Sequence, residues 1–217
     1  SVSGPCFPIV LIEELLGENG MLSRVFREKP VIGAVRSGKL ESPKVEALSL
    51  CPAVFLLDSS LNHLSGTLEI LSLFTSPVFL HIDLCAGLTP DESALFFIKE
   101  HFPKIEGIIS TRSRTLSMAK KAGFSTVLRL FMIDSESFIN GIKVVRRVRP
   151  DALELLPGLI FPKVRDLFEN SDMPPLICGG FIRTAEEVHE ILDAGASAIS
   201  TSCENLWLLN RGERNHG

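Results

Sequence analysis

Short apolar runs rich in β-branched and aromatic residues recur along the chain, spaced about two dozen positions apart, the length of one strand, one helix and two short loops. The runs are VIGAVR (Val31–Arg36), VFLLD (Val54–Asp58), VFLHIDL (Val78–Leu84) and GIISTR (Gly107–Arg112). They continue with TVLRLF (Thr126–Phe131), ALELLPG (Ala152–Gly158), LICGG (Leu176–Gly180) and SAISTS (Ser197–Ser202). The segments between them carry helix signals. TPDE reads as a capping box with Thr89 as N-cap, Pro90 behind it and Glu92 at the third position. TAEE repeats the pattern with Thr184 and Glu187, Ser42-Pro43 marks another start, and Gly123 and Gly195 stand where helices stop. Strands alternating with helices predict a parallel sheet. Eight such units in this length predict an α/β fold of the TIM type, a compact single-domain (β/α)8 barrel, with a doubly wound open sheet as the competitor. IISTR and AISTS echo one another half a chain apart, as two half-barrels would.

Alternation along a strand lets one polar residue fix which face meets the barrel axis. In the third run Val78, Leu80 and Ile82 form an aliphatic face, so Phe79, His81 and Asp83 are expected to point inward. The same rule places Arg36, Asp58, Ser110, Arg112, Arg129, Glu154, Ser200 and Ser202 inward, at or near C-terminal strand ends, where barrels of this type keep their sites. Charges on a barrel axis must be paired or bound. Arg129 and Glu154, on neighbouring strands, fit either a structural ion pair or an anion site.

Composition narrows the chemistry. The 217 residues are 45% hydrophobic and 22% charged, with a formal net charge of −4. That charge gives nucleic acid no global attraction, so a local basic patch is needed. The five cysteines are scattered without a CxxC pair, which argues for a reducing cytoplasm and against a disulfide framework or structural zinc. No apolar run is long enough for a membrane span. Residues 1–20 fall outside the repeat count and are expected to be a dispensable extension, with the barrel over residues 21–217.

Two segments suit a phosphate. Gly179 and Gly180 close the seventh strand and permit close approach to the backbone. Ser200, Thr201 and Ser202 offer hydroxyls after the eighth, and a following helix from about Cys203 to Leu209 would aim its first amides at the same place. Thr184 is expected mainly to cap its own helix. A catalyst is harder to find. No lysine occupies a strand end, and GxSxG, HExxH and P-loop motifs are absent. Asp58, His81 and Asp83 could group as a small metal site, but a hydrogen-bonded core histidine explains them better, and no metal is expected.

HIDL, GIISTR, RLFMID, DALELLPG, GGFIRTAEEV and AISTSCENLW, in this order, resemble the glycerol-3-phosphate-responsive antiterminators, the bacterial regulatory proteins of glycerol uptake operons. The resemblance spans roughly Lys29 to Leu208. It implies a TIM-type barrel that binds glycerol 3-phosphate as effector, needs no cofactor, and acts on leader mRNA so that transcription passes a terminator. It assigns ligand binding to Arg36, His81, Asp83, Ser110, Arg112, Arg129, Glu154, Gly158, Gly179, Gly180, Ser200, Thr201 and Ser202. The family usually reads Ser-Asn where this chain has Ser202-Cys203, which removes a side-chain amide. For RNA, the residues themselves offer Arg114, Lys120 and Lys121 on one helix, and Lys143, Arg146, Arg147 and Arg149 on the next. A solvated helix face explains the same charges. Two other readings stay open: a sugar-phosphate isomerase, lyase or synthase using Asp83 and Glu154 as acid and base, and a metabolite-binding barrel that partners a protein. The pattern also leaves room for a homo-oligomer.

Overall fold

The computed structural model describes Phe26, residues 28–37, Leu40, residues 42–168 and residues 173–211. The expected extension at residues 1–20 lies outside them. The strands are β1 (Val31–Arg36), β2 (Val54–Ser60), β3 (Val78–His81), β4 (Ile105–Ser110), β5 (Ser125–Phe131), β6 (Ala152–Leu156), β7 (Leu176–Gly179) and β8 (Ala198–Thr201). Each pairs in parallel with the next, and β1 pairs with both β2 and β8, so the sheet closes. Closure excludes the doubly wound alternative. The helices are α1 (Ser42–Leu48), α2 (Leu61–Leu71), α3 (Glu92–His101), α4 (Ser113–Lys121), α5 (Ser135–Val148), α6 (Phe161–Val164), α7 (Ala185–Asp193) and α8 (Glu204–Trp207). The fold is a TIM-type (β/α)8 barrel in one domain.

Two apolar layers hold it. Ile32, Ala34, Phe55, Phe79, Ile109, Val127, Ala152, Ile177 and Ala198 fill the axis, joined by Phe26 from ahead of β1. Val31, Leu56, Leu80, Ile108, Leu128, Leu153, Cys178 and Ile199, from the opposite faces of the same strands, meet the helices. This is the strict alternation that buries both faces of a parallel barrel. After α8, Asn210 closes the chain onto its start: its side-chain amide donates to the Val31 carbonyl at 2.7 Å and accepts from the Val31 N–H at 3.0 Å.

Helix ends follow sequence chemistry with one correction. Thr184 and Glu187 form the expected reciprocal capping box on α7. At α3 the N-cap is Asp91 instead of Thr89. The Asp91 carboxylate accepts from Ala94 N–H at 2.8 Å, while the Thr89 carbonyl is used in a preceding turn by Asp91 N–H. A carboxylate at a helix N-terminus also meets the positive end of the dipole, so the later residue prevails. Gly123 and Gly195 stand past α4 and α7 with positive φ, as C-terminal glycines do.

Strand parity needed further corrections. In β4 the axis positions are Gly107 and Ile109, so Ser110 falls on the opposite parity. The reason is Phe79, whose ring occupies the space a side chain at Gly107 would need. The expected likeness of the two half-barrels fails here, since Ser200 does face inward while Ser110 does not. Between Leu56 and Asp58 the register with β1 shifts by a residue, so Asp58 sits at the rim with Arg36. Asp83 lies past the end of β3, in a 3-10 turn at Ile82–Leu84, and Arg112 and Ser202 lie past their strands as exposed loop residues.

A candidate ligand site at the barrel mouth

A cavity of about 390 Å³ opens at the C-terminal ends of the strands. Its polar wall consists of Arg129, Glu154, Gly180, Ser200, Thr201, Ser202, Arg183 and Cys203. Ala34, Leu57, Leu156, Phe181 and Ile182 form an apolar wall. A volume of this order suits a small metabolite.

The floor is a buried charge network. Arg129 Nε donates to Glu154 Oε2 at 2.7 Å, and Ser200 Oγ donates to Glu154 Oε1 at 2.6 Å. Both carboxylate oxygens are thus engaged, and the carboxylate fixes the guanidinium through Nε alone. Among the described residues the Arg129 Nη groups have no hydrogen-bond partner, on a side chain only 8% exposed. An arginine presented in this way offers paired N–H donors to the oxygen atoms of a small ligand.

The loop after β7 adds backbone. Gly180 has φ +80 and Phe181 φ 63, two consecutive left-handed residues that turn the chain across the cavity. The amides that follow are already taken: Arg183 N–H and Thr184 N–H donate to Glu187 Oε2 at 2.7 and 3.1 Å. Thr184 therefore caps its own helix, and these two amides are not free for an anion. The helix after β8 is shorter than expected, at Glu204–Trp207 followed by a 3-10 turn.

Several expected site residues are held elsewhere. Gly179 makes room for the Ser200–Glu154 bond, because a Cβ there would collide with Ser200 Oγ. Gly158 is a packing glycine away from the cavity: a Cβ would lie 2.7 Å from Gly179 N. Thr201 borders the cavity, but its hydroxyl is turned to the helix side, where Oγ1 donates to the Ile182 carbonyl at 3.3 Å and accepts from Cys203 N–H at 3.1 Å. Asp83 is saturated by Ser110 Oγ at 2.9 Å, Thr111 N–H at 2.8 Å and Thr111 Oγ1 at 3.0 Å. It staples the turn after β3 to the loop after β4, where Arg112 N–H also donates to Ser110 Oγ at 3.0 Å. Arg36 pairs with Asp58 at 2.6 Å at the tips of β1 and β2. Asp58, His81 and Asp83 therefore do not converge; among the described residues no three potential metal-ligating His, Cys, Asp or Glu groups come together.

His81 is 3% exposed, and its Nδ1 is the one fully buried side-chain polar atom without a partner among the described residues. Burial, followed by the nearby Arg129 charge, pushes its pKa below the ordinary 6.5. The imidazole is neutral near neutrality. The unfolded chain binds its proton more readily, so this group withdraws stability as pH falls below 6.5. His81→Leu should flatten the decline in Tm as pH falls below 6.5, and an unchanged slope would assign that decline to other groups. The buried thiols are inert by the same physics: burial raises Cys51 to about 12, and burial with the Glu154 charge raises Cys178 further.

The expected basic strip on α4 and α5 is partly internal. Lys120 Nζ donates to the Arg149 carbonyl at 2.6 Å and lies 3.7 Å from Asp151, while Arg147 Nη2 donates to Ser113 Oγ at 2.7 Å. Lys143 Nζ reaches Asn140 Oδ1 at 3.4 Å. Arg114, Lys121 and Arg146 are exposed.

Phe181, Arg183, Leu57 and Leu156 line the cavity without having been singled out from the sequence. The GGFIRT stretch was the available signal for the first two, since the loop that carries Gly180 also carries them. No helix among the described residues is long and apolar enough to cross a membrane.

A closed parallel barrel with a cavity at its mouth, walled mainly from β5 to β8 with Ala34 and Leu57 opposite, defines a (β/α)8 protein with a candidate small-molecule site. Within that class, residues 31–207 match the glycerol-3-phosphate responsive antiterminators, and the chain belongs to that family. The crystal structure of a glycerol uptake operon antiterminator regulatory protein from Listeria monocytogenes is 31% identical, with TM-score 0.71 over 82% of this chain and 95% of that one. A glycerol uptake operon antiterminator-related protein from Thermotoga maritima is 34% identical, with TM-score 0.70 over 82% and 98%. An uncharacterized protein of Escherichia coli, YgcP, is 32% identical over 188 residues, covering 87% of this chain and 96% of its own.

Proposed function

We propose that the mouth cavity binds glycerol 3-phosphate and that the liganded protein acts on leader mRNA of glycerol-utilisation genes as an antiterminator. Family membership supports the regulatory class. The observation that carries the ligand reading is the buried Arg129, locked by Glu154 through Nε with its Nη groups unpartnered. In this reading the glycerol hydroxyls meet Arg129 and the Glu154 carboxylate on the floor. The phosphate sits outward, against the Gly180 backbone and the Ser202 hydroxyl. Leu57 and Leu156 supply the apolar wall against the carbon chain.

An acid–base enzyme finds no support in the geometry. Asp83 is bound by Ser110 and Thr111 and does not line the cavity, so the pair it would form with Glu154 is not assembled.

Thermal denaturation with glycerol 3-phosphate, glycerol and inorganic phosphate tests the ligand half. At a hundredfold excess over Kd the stabilisation is about 2.7 kcal/mol, a Tm rise of roughly 5–10 °C. Glycerol 3-phosphate should produce the largest shift and survive incubation unchanged. No shift, or consumption of the ligand, would overturn the reading.

A further inference from the structure

The mouth carries an apolar ridge that the barrel core does not use. Ile133 is 86% exposed, Phe181 71% and Phe131 52%. Phe131 and Ile133 stand at and just past the tip of β5, and Phe181 just past the tip of β7. Phe131 stands in register with Leu156 across β5 and β6, and Leu156 Cδ2 lies 3.0 Å from where a Gly180 Cβ would be. Phe181 follows directly. The tips of β5 and β7, with Leu156 of β6 between them, thus present two aromatic rings and an isoleucine to solvent. Phe181 is held there at φ 63, a conformation a bulky residue adopts only when its surroundings impose it.

The charges around this ridge point to one kind of partner. Three nearby carboxylates are engaged: Asp134 caps α5 and Glu187 caps α7, each at the positive end of a helix, while Asp83 is held by Ser110 and Thr111; Glu136 and Glu186, in the first turns of α5 and α7, are exposed. Arg183 and Arg112 extend into solvent on either side, Arg112 no nearer than 4.0 Å to Asp83. Glu136 and Glu186 sit where their helix dipoles offset their charge, and Arg112 and Arg183 are the exposed cations beside the ridge. Flat apolar rings flanked by arginines suit single-stranded nucleic acid, whose bases stack and whose phosphates take the guanidinium groups. The helical strip on α4 and α5 fits less well. Lys120, Lys143 and Arg147 are tied internally, and neither helix exposes an aromatic ring.

We propose that the Phe131–Ile133–Phe181 ridge, with Arg112 and Arg183, is the single-stranded RNA contact surface, and that cavity occupancy controls it. This rests on the antiterminator reading above. The coupling element is the loop after β7: Gly180 and Phe181 line the cavity from above, and Phe181 also forms the ridge. Ligand that fixes the loop fixes the surface, and by linkage RNA raises ligand affinity by the same factor.

The test is ultraviolet crosslinking of the full chain to a random-sequence pool of single-stranded RNA in the presence of glycerol 3-phosphate, with crosslinked peptides located by mass spectrometry. Crosslinks at Phe131 or Phe181 are expected. Crosslinks confined to α4 and α5 overturn the ridge while leaving RNA binding intact. Phe131→Ala, or Ile133→Ser should the first not fold, should weaken RNA binding on the order of tenfold and leave the ligand-induced Tm shift unchanged. Undiminished RNA affinity in a folded variant overturns the proposal and gives the ridge to a protein partner. Failure to bind any RNA, with the ligand shift intact, overturns the ridge together with the RNA half of the function and leaves the ligand half standing.

Discussion

Arg129→Met should abolish the stabilisation by glycerol 3-phosphate and, in its absence, destabilise the barrel by about 3–5 kcal/mol. The second effect follows from Glu154, whose side chain is 1% exposed and pairs with Arg129 Nε at 2.7 Å. Removing the guanidinium leaves a buried carboxylate with Ser200 Oγ as its remaining donor. The loss is therefore the penalty of an uncompensated charge, more than the worth of the pair itself. Arg129→Met with Glu154→Gln separates the two effects. The glutamine carbonyl can still accept from Ser200, and no charge is stranded, so much of the stability should return. Ligand stabilisation should not return, because the donors facing the cavity are still missing. Urea denaturation of the three proteins with and without glycerol 3-phosphate measures both quantities. A single variant that keeps its ligand shift would remove Arg129 from the site.

The same pair shows what a sequence can carry. Arg129 and Glu154 were legible because each lies inside a regular strand, where alternation propagates without interruption from Val127 and Ala152. The closed barrel was legible for the same reason: the strand–helix period and two-sided burial repeat along the whole chain. Alternation stops informing at strand tips. Asp58 lies beyond a register shift, Asp83 in a 3-10 turn and Arg112 at a helix cap. Ser110 was misassigned inside a regular strand, because the deciding contact is between Phe79 and Gly107, residues 28 positions apart. The apolar wall was legible only as a face. Alternation from Glu154 puts Leu156 on the axis side and Leu155 among the helices, but nothing in a one-dimensional pattern says that Leu156 borders a cavity instead of filling packed core. The glycines were legible as a loop but not in their roles. Gly179 serves the Glu154–Ser200 bond and Gly180 faces the cavity, a distinction set by three dimensions.

That division makes Gly180→Val the sharper probe of the phosphate position, with an expected rise in the Kd for glycerol 3-phosphate of tenfold or more and retention of the fold. Two effects combine at this residue and need separating. Its φ of +80 disfavours any L side chain, at roughly 1–2 kcal/mol, and more for a β-branched one. A Cβ would also stand 3.0 Å from Leu156 Cδ2, which must give by a few tenths of an ångström. Leu156 is partly buried at the cavity wall and has room to move, so the barrel should survive. The ligand should not tolerate the change, because the new methyl groups would occupy the approach to the Gly180 backbone and push Leu156 into the remaining space. Gly195→Val is the control. It stands at φ +109 past the end of α7, and a Cβ there meets nothing within 4 Å. It therefore carries the backbone strain without the obstruction. Both variants should lose comparable stability by urea denaturation, and only Gly180→Val should lose affinity by calorimetric titration. Equal affinities in the two would move the phosphate away from the loop after β7.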